Sequence, residues 1–130
     1  MLEIKGAFSS FAVRDIEEAR KFYRETLGLD ASDVPGMSGL LQLALPGGAK
    51  VLVYTKPDHA PASFTVLNFD VPSVERTVDA LARQGVRFEI YRDGPVKTDA
   101  KGISRDPGGP TIAWFRDPAG NILSIVEQRR

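Results

Sequence analysis

Side chains that could perform catalysis are few in this sequence. It contains no cysteine, which excludes disulfides, thiolate metal ligands and a nucleophilic thiol. Its one histidine, His59, lies in a proline-rich stretch (KPDHAPA, 56–62), where we expect a solvated loop residue rather than a general base. Asp58, His59 and Ser63 supply the side-chain types of a nucleophilic triad, but the sequence around them does not resemble a nucleophile elbow. A lone histidine also cannot form a histidine-based metal site.

The overall composition is that of a compact globular domain. The chain has 130 residues, 42% of them hydrophobic and 26% charged, and its formal net charge is zero. No basic run occurs apart from Arg129 and Arg130, so nucleic acid is not an expected partner. No apolar run approaches the length of about 18 residues that a membrane helix needs, and the first residues, MLEIKGAF, lack the apolar core of a signal peptide. We therefore expect no membrane association and a cytoplasmic location.

An internal repeat organises the chain. Shifting the sequence by 58 positions places Phe11, Val13, Ile16 and Glu17 on Phe69, Val71, Val74 and Glu75. Each copy then reads as an apolar strand, a helix N-cap residue (Asp15 or Ser73), an amphipathic helix and a terminating glycine. The repeat predicts two copies of one supersecondary unit.

Periodicity and turn residues predict the elements of each copy. The predicted strands and hairpin arms are 6–13, 40–45, 50–55, 64–71, 86–91, 111–116 and 121–127. Residues 30–39 and the polar stretch 92–110 are predicted loops, and 56–62 links the copies. The order is β-α-β-β-β twice, which predicts a curved mixed sheet with helices outside and a concave face open to a ligand.

Two motifs resemble those of a known family. The helix VRDIEEARKFYRETLGL and the hairpin FRDPAGNILSIVE together resemble the vicinal oxygen chelate superfamily. That family includes glyoxalase I, extradiol dioxygenases, fosfomycin-resistance enzymes and metal-free bleomycin-resistance proteins. The resemblance implies an α+β fold in which two βαβββ modules form a cup-shaped half-barrel, commonly in a homodimer that binds a small molecule. It implies one domain over 1–130, with modules at 1–58 and 63–130.

The resemblance also implies where metal ligands would stand. The four equivalent positions hold Phe8, Val66, Ser124 and Leu52 (or its neighbour Val53). Three of these side chains are hydrocarbons without a lone pair, and a neutral serine hydroxyl is a poor lone ligand for zinc, iron or manganese. We therefore expect no metal and no other cofactor, which removes the cation on which the family's isomerase and dioxygenase chemistry depends.

Strand alternation predicts the lining of the cup once Phe8 is placed on its inner face. The expected ligand-binding residues are Phe8, Ser10, Gln42, Leu52, Tyr54, Val66, Asn68, Trp114, Arg116 and Ser124. Aromatic rings among them could stack on a planar ligand, and the hydroxyl and amide groups could orient its polar atoms. Alternatively, these residues close the cup as ordinary core.

The favoured hypothesis is a metal-independent protein that sequesters a small hydrophobic or aromatic molecule, which needs no catalytic group. One alternative is a lyase or isomerase that uses side-chain acid/base chemistry. Another is a metal-dependent glyoxalase or dioxygenase with shifted ligands such as Asp70, Glu89 or Glu127. A scaffolding dimer with a filled cup is the last. Residues 92–110, with three cations at Lys97, Lys101 and Arg105, are either a solvated face or a lid over an anionic ligand.

Overall fold

Two compact units make up the chain in the computed structural model, which describes residues 1–128. The first unit is Met1–Pro61 and the second begins at Ala62. Each unit contains one four-stranded mixed sheet and one α-helix, and the first also has a short 3-10 turn at Pro46–Gly48, which confirms the predicted α+β class and the two βαβββ modules. Among the described residues, no helix is long and apolar enough to cross a membrane.

The first module contains one sheet with both parallel and antiparallel strand pairs. Its strands are β1 (Ser9–Val13), β2 (Asp30–Val34), β3 (Met37–Ala44) and β4 (Lys50–Thr55), in the sheet order β1-β4-β3-β2. β1 runs parallel to β4, and the other pairs are antiparallel. Alternation buries one face: Phe11, Val13, Leu41, Leu43, Val51 and Val53 are all at most 9% exposed.

The helical segment of the first module begins after Asp15 and ends at Gly28, as the sequence predicts. It consists of α1 (Ile16–Lys21) and a last turn that is wider than an α-helical one. The Asp15 carboxylate accepts hydrogen bonds from the N–H groups of Glu17 and Glu18, at 2.9 and 3.3 Å. A π-helical turn over Phe22–Thr26 follows, and its Tyr23 is fully buried. Gly28 then ends the helix with a φ of 70°.

The predicted loop over 30–39 is wrong, because these residues form β2 and the start of β3. Pro35 and Gly36, the latter with a φ of 76°, make a two-residue turn that pairs Val34 with Met37. β2 is an edge strand in which Ala31 is buried while Asp30, Ser32 and Asp33 are exposed. Its polar composition therefore looks like that of a loop.

The second module repeats the arrangement around α2 (Val74–Arg83). Its strands are β5 (Thr65–Asp70), β6 (Ile103–Ser104), β7 (Thr111–Arg116) and β8 (Ile122–Glu127), in the order β5-β8-β7-β6. The Ser73 hydroxyl accepts from the Arg76 N–H at 3.2 Å, as a cap should, and the Glu127 carboxylate accepts from the Val74 N–H at 2.9 Å. The first turn of α2 is therefore fixed by both its own cap and β8.

The fourth strand of this sheet is not where the sequence predicts it. Residues 86–91 make no strand in the described chain; Phe88 forms an isolated bridge to Phe115, and the Glu89 N–H donates to the Trp114 carbonyl at 2.8 Å. The strand β6 lies instead within the predicted loop 92–110. Its Ile103 is 1% exposed and pairs with Ala113. A strand of two residues leaves too short an apolar pattern to be recognised.

Gly102 provides a test of how closely β6 packs against residues 88 and 89. A Cβ at Gly102 would lie 2.8 Å from the Phe88 Cβ and 2.9 Å from the backbone carbonyl oxygen of Glu89. The φ of Gly102 is +86°. Gly94 has a similar φ of +92°, but a Cβ there meets nothing within 4 Å. Both alanine variants carry the cost of a positive φ, so Gly102→Ala should lower the free energy of unfolding by about 1–3 kcal/mol more than Gly94→Ala. Chemical denaturation measures the difference, and equal effects would contradict this packing.

Candidate ligand-binding site

Three of the predicted site residues lie in one row across the second sheet. Trp114 of β7 pairs with Ser124 of β8, and Ser124 pairs with Asn68 of β5. Ser124 is fully buried, and its hydroxyl donates to the Asn68 side-chain oxygen. The Ser124 hydroxyl therefore already has a hydrogen-bond partner, Asn68, within the second module.

The indole of Trp114 is held by two neighbours. Its Nε1 donates to the Thr65 hydroxyl at 3.2 Å, and the Tyr91 ring stands edge-on to it, with ring centroids 5.6 Å apart at 72°. A β-bulge between Thr65 and Leu67 places Thr65 level with Ile122, so that Thr65 occupies the row position that parity predicts for Val66. The indole therefore has a fixed orientation.

Two cavities meet at Trp114. The smaller has a volume of about 290 Å³ and is lined by Ser63, Phe64, Thr65, Tyr91, Asp93, Pro95, Val96, Trp114 and Ile122. Phe64 is 66% exposed and Val96 is 39% exposed, so large apolar surfaces are open to solvent here. This cavity has the aromatic and aliphatic composition of a small-molecule site.

The larger cavity, of about 600 Å³, is walled mainly by the segment that the sequence analysis predicts to be a loop. Its lining runs from Pro95 to Asp99, from Ile103 to Pro107, and through Gly109, Pro110, Ile112 and Trp114. Pro95, Val96 and Trp114 line both cavities. The two cavities therefore share an apolar wall but differ at their far ends, since the larger one also contains hydroxyl and charged groups.

Two of the three predicted cations of residues 92–110, Lys101 and Arg105, form ion pairs with carboxylates. Lys101 lies 2.8 Å from Asp79 and 3.3 Å from Glu75, and Arg105 pairs with Glu75 at 2.9 Å and with Asp99. These carboxylates raise the pKa of both Lys101 and Arg105. The ion pairs tie the segment to α2, so these two side chains are poorly placed to receive an anionic ligand.

The Asp99 carboxylate holds the turn before β6. It accepts hydrogen bonds from the N–H groups of Lys101 and Ile103, at 2.9 and 3.0 Å. Partial burial raises the pKa of Asp99, but the Ile103 N–H and the Arg105 guanidinium lower it by more, so the net pKa lies below its usual value. Asp99 is therefore an anion at neutral pH.

The predicted residues of the first module also share a sheet face. Ser10 pairs with Leu52, and Leu52 pairs with Gln42, which places all three in one row across β1, β4 and β3. Tyr54 lies two residues further along β4 and is 37% exposed. Phe8 precedes β1 and is 67% exposed. As ligand contacts, these five residues remain a prediction.

Arg116 is placed at the end of the β7–β8 hairpin. Its guanidinium pairs with Glu89 and donates to the Gly120 carbonyl at 3.2 Å. Arg116 therefore has a structural role that sequence reasoning did not consider.

The positions that would hold a metal do not fit one. Phe8, Leu52 and Val66 present hydrocarbon side chains, and the Ser124 hydroxyl is bound to Asn68. This donor set lacks the carboxylates and imidazoles that divalent cations require.

Two of the three shifted ligands, Glu89 and Glu127, are engaged within the module. The Glu127 carboxylate caps α2 at the Val74 N–H, and Glu89 is paired with Arg116. Among residues 1–128, no three or more His, Asp and Glu side chains are grouped to hold a metal ion.

The candidate triad is not assembled around Asp58. This carboxylate is exposed and pairs with Lys56, which lowers the pKa of Asp58. His59 is half-buried rather than solvated as expected, and its Nε2 is buried without a hydrogen-bond partner in the described part of the chain. Asp58 is therefore engaged by Lys56.

Sequence reasoning missed several residues of the two cavities, namely Phe64, Thr65, Tyr91, Pro95, Val96 and Ser104. Thr65 depends on a bulge that leaves no mark in the sequence. The aromatic residues that border predicted strands, and the length of the segment 92–110, are signals that could have identified the others.

A family model describes this chain well. The Glyoxalase/Bleomycin resistance protein/Dioxygenase superfamily model matches residues 8–125. The chain therefore belongs to this superfamily, as the two sequence motifs predict. The sequence matches none of the curated proteins with which it was compared.

Solved structures agree with this assignment. TnmS3, an antibiotic binding protein from Streptomyces sp. CB03234, is 25% identical over 98% of this chain and 100% of its own, with a TM-score of 0.68. A superfamily member from Sphaerobacter thermophilus DSM 20745 is 24% identical over 98% and 100% of the two chains, with a TM-score of 0.70. The fosfomycin resistance protein FosX from Listeria monocytogenes is 12% identical over 98% and 94%, with a TM-score of 0.71. The last two similarities establish the fold alone.

Proposed function

We propose that this protein is a metal-independent member of the superfamily that binds and sequesters a small, planar, hydrophobic or aromatic molecule. The observation that carries the proposal is the fixed indole of Trp114 at the junction of two cavities. Binding against it would cover apolar surface that is otherwise in water.

The second module offers the ligand several apolar surfaces besides Trp114. Phe64, Pro95 and Val96 line the smaller cavity from two separate parts of the chain, and Phe64 is 66% exposed. A planar ligand between these side chains would gain both area burial and ring contacts. The orientation of the indole is set in advance by Thr65 and Tyr91, which lowers the entropic cost of binding.

Sequestration is favoured over catalysis by how the ionisable groups are used. Glu89, Asp99 and Glu127 each hold a partner within the module, as a backbone N–H or a basic side chain. General acid/base catalysis needs a group within reach of the substrate and able to exchange its proton. The name of TnmS3, an antibiotic binding protein, adds support from a structural relative.

The proposal includes a homodimer, which the family resemblance implies. Leu2, Ile4 and Phe8 are 84%, 67% and 67% exposed, in a segment that precedes β1. Association of two copies would be a reason for such exposed apolar side chains. Light scattering on the purified protein should give twice the mass of the chain, and a monomer at micromolar concentration would contradict this part of the proposal.

The ligand site is tested by removing Trp114 and measuring binding by calorimetry. The probes are uncharged planar aromatic compounds, including naphthalene and 2-naphthol, first screened by thermal shift. Trp114→Ala should weaken binding by about tenfold or more, because the main stacking surface is lost. Phe64→Ala, at an exposed position that should not affect folding, is expected to weaken it by less.

Ile90→Ala is the matched control for these variants. Ile90 is 41% exposed and adjoins the same segment, but it lines neither of the two cavities described above. Its removal should leave the affinity unchanged. Equal affinity in the wild type and Trp114→Ala would show that the ligand binds elsewhere.

A further inference from the structure

Ser104 places a hydroxyl-bearing side chain in the wall of a cavity. It is the second residue of β6, is 7% exposed and lines the larger cavity. Its hydroxyl has no hydrogen-bond partner among residues 1–128, unlike that of Ser124, which donates to Asn68. The hydrogen-bonding capacity of Ser104 is therefore open to solvent or to a molecule in the cavity. A ligand that covers this hydroxyl must hydrogen-bond with it to avoid the cost of an unpartnered buried polar group.

The register of the sheet places Ser104 close to Trp114. Ser104 pairs with Ile112 across β6 and β7, and Trp114 lies two residues further along β7 on the same face. Diagonal neighbours of this kind have Cβ atoms about 7–8 Å apart. A fused two-ring compound stacked on the indole can therefore place a substituent at Ser104.

The backbone around Ser104 is fixed on both sides. The Ile103 side chain is 1% exposed in the core, and its N–H donates to Asp99 at 3.0 Å. Arg105, which follows, is tied to Glu75 at 2.9 Å. The Ser104 hydroxyl is therefore presented to the cavity by a rigid segment, as binding groups usually are.

The surroundings of Ser104 favour a neutral ligand group. The neighbouring guanidinium of Arg105 is already paired with Asp99 and Glu75. The lining of the two cavities includes three carboxylates, of Asp93, Asp99 and Asp106, and one further cation, Lys97, so a ligand anion would meet more negative than positive groups. A serine hydroxyl can donate to a carbonyl or accept from a phenol.

We propose that Ser104 is the specificity-determining residue of the site and selects planar aromatic ligands that carry an uncharged oxygen, as in a phenol or ketone, about one ring away from the surface that stacks on Trp114. This inference rests on the proposed function and specifies the ligand class of the same site.

The test compares 2-naphthol with naphthalene, which differ by one hydroxyl. Trp114 is the one tryptophan of the chain, so its indole N–H gives one resonance whose shift follows each titration. In Ser104→Ala, the ratio of the naphthalene Kd to the 2-naphthol Kd should fall about fivefold to tenfold, the loss of one hydrogen bond. The ratio in Ser32→Ala, which alters an exposed hydroxyl of β2 that lines neither cavity, should equal the wild-type ratio.

Two further observations separate ligand recognition from a structural role. Ser104→Cys keeps the size of the side chain but forms weak hydrogen bonds, so it should behave like Ser104→Ala. Because the hydroxyl has no partner in the described chain, neither substitution should lower the Tm. A clear drop in Tm would mean that Ser104 stabilises the fold, which would overturn the proposal.

The outcomes distinguish this inference from the proposed function. If both compounds bind the wild type and the ratio is the same in Ser104→Ala, Ser104 does not select the ligand, although aromatic binding stands. If neither compound shifts the wild-type indole resonance up to its solubility limit, the proposed function fails and the inference fails with it.

Discussion

The pairing of β8 with both β5 and β7 is the constraint on which the site depends. Leu123 and Ile125 are core residues, whereas Ser124 lies on the opposite face and hydrogen-bonds to Asn68, so a slip of β8 by one residue would exchange the two faces. This register places Trp114 level with Ser124, and the bulge in β5 brings Thr65 to the indole N–H. The position and orientation of the proposed stacking surface thus follow from the packing of the core.

Charge pairing determines how the segment before β7 can act. Lys101 and Arg105 bind carboxylates of α2 and Asp99, which fixes this segment as a wall of the larger cavity. Such pairing disfavours Lys101 and Arg105 as groups of a lid over an anion, whereas the third predicted cation, Lys97, lines the larger cavity. The larger cavity next to Trp114 therefore has an apolar surface together with the Ser104 hydroxyl.

The sequence predicted the features that depend on local chemistry or on strong alternation. Asp15, Ser73 and Gly28 act as the predicted helix boundaries, and the hairpin that contains Trp114 lies where its pattern placed it. It did not predict β2 or β6, because an edge strand with one buried residue and a strand of two residues carry no readable period. Ser104 was missed for the same reason, since its burial depends on pairing with β7 rather than on its neighbours in sequence.

The central claim is that an aromatic ligand binds against Trp114 without the cation that metal-dependent relatives require. The most direct measurement is the Kd of 2-naphthol, from the indole resonance of protein purified without chelator and of the same protein after dialysis against EDTA. Because the positions of metal ligands hold Phe8, Leu52, Val66 and Ser124, we predict equal affinities in the two preparations. Loss of binding after EDTA, with recovery on addition of manganese, zinc or iron, would contradict the account.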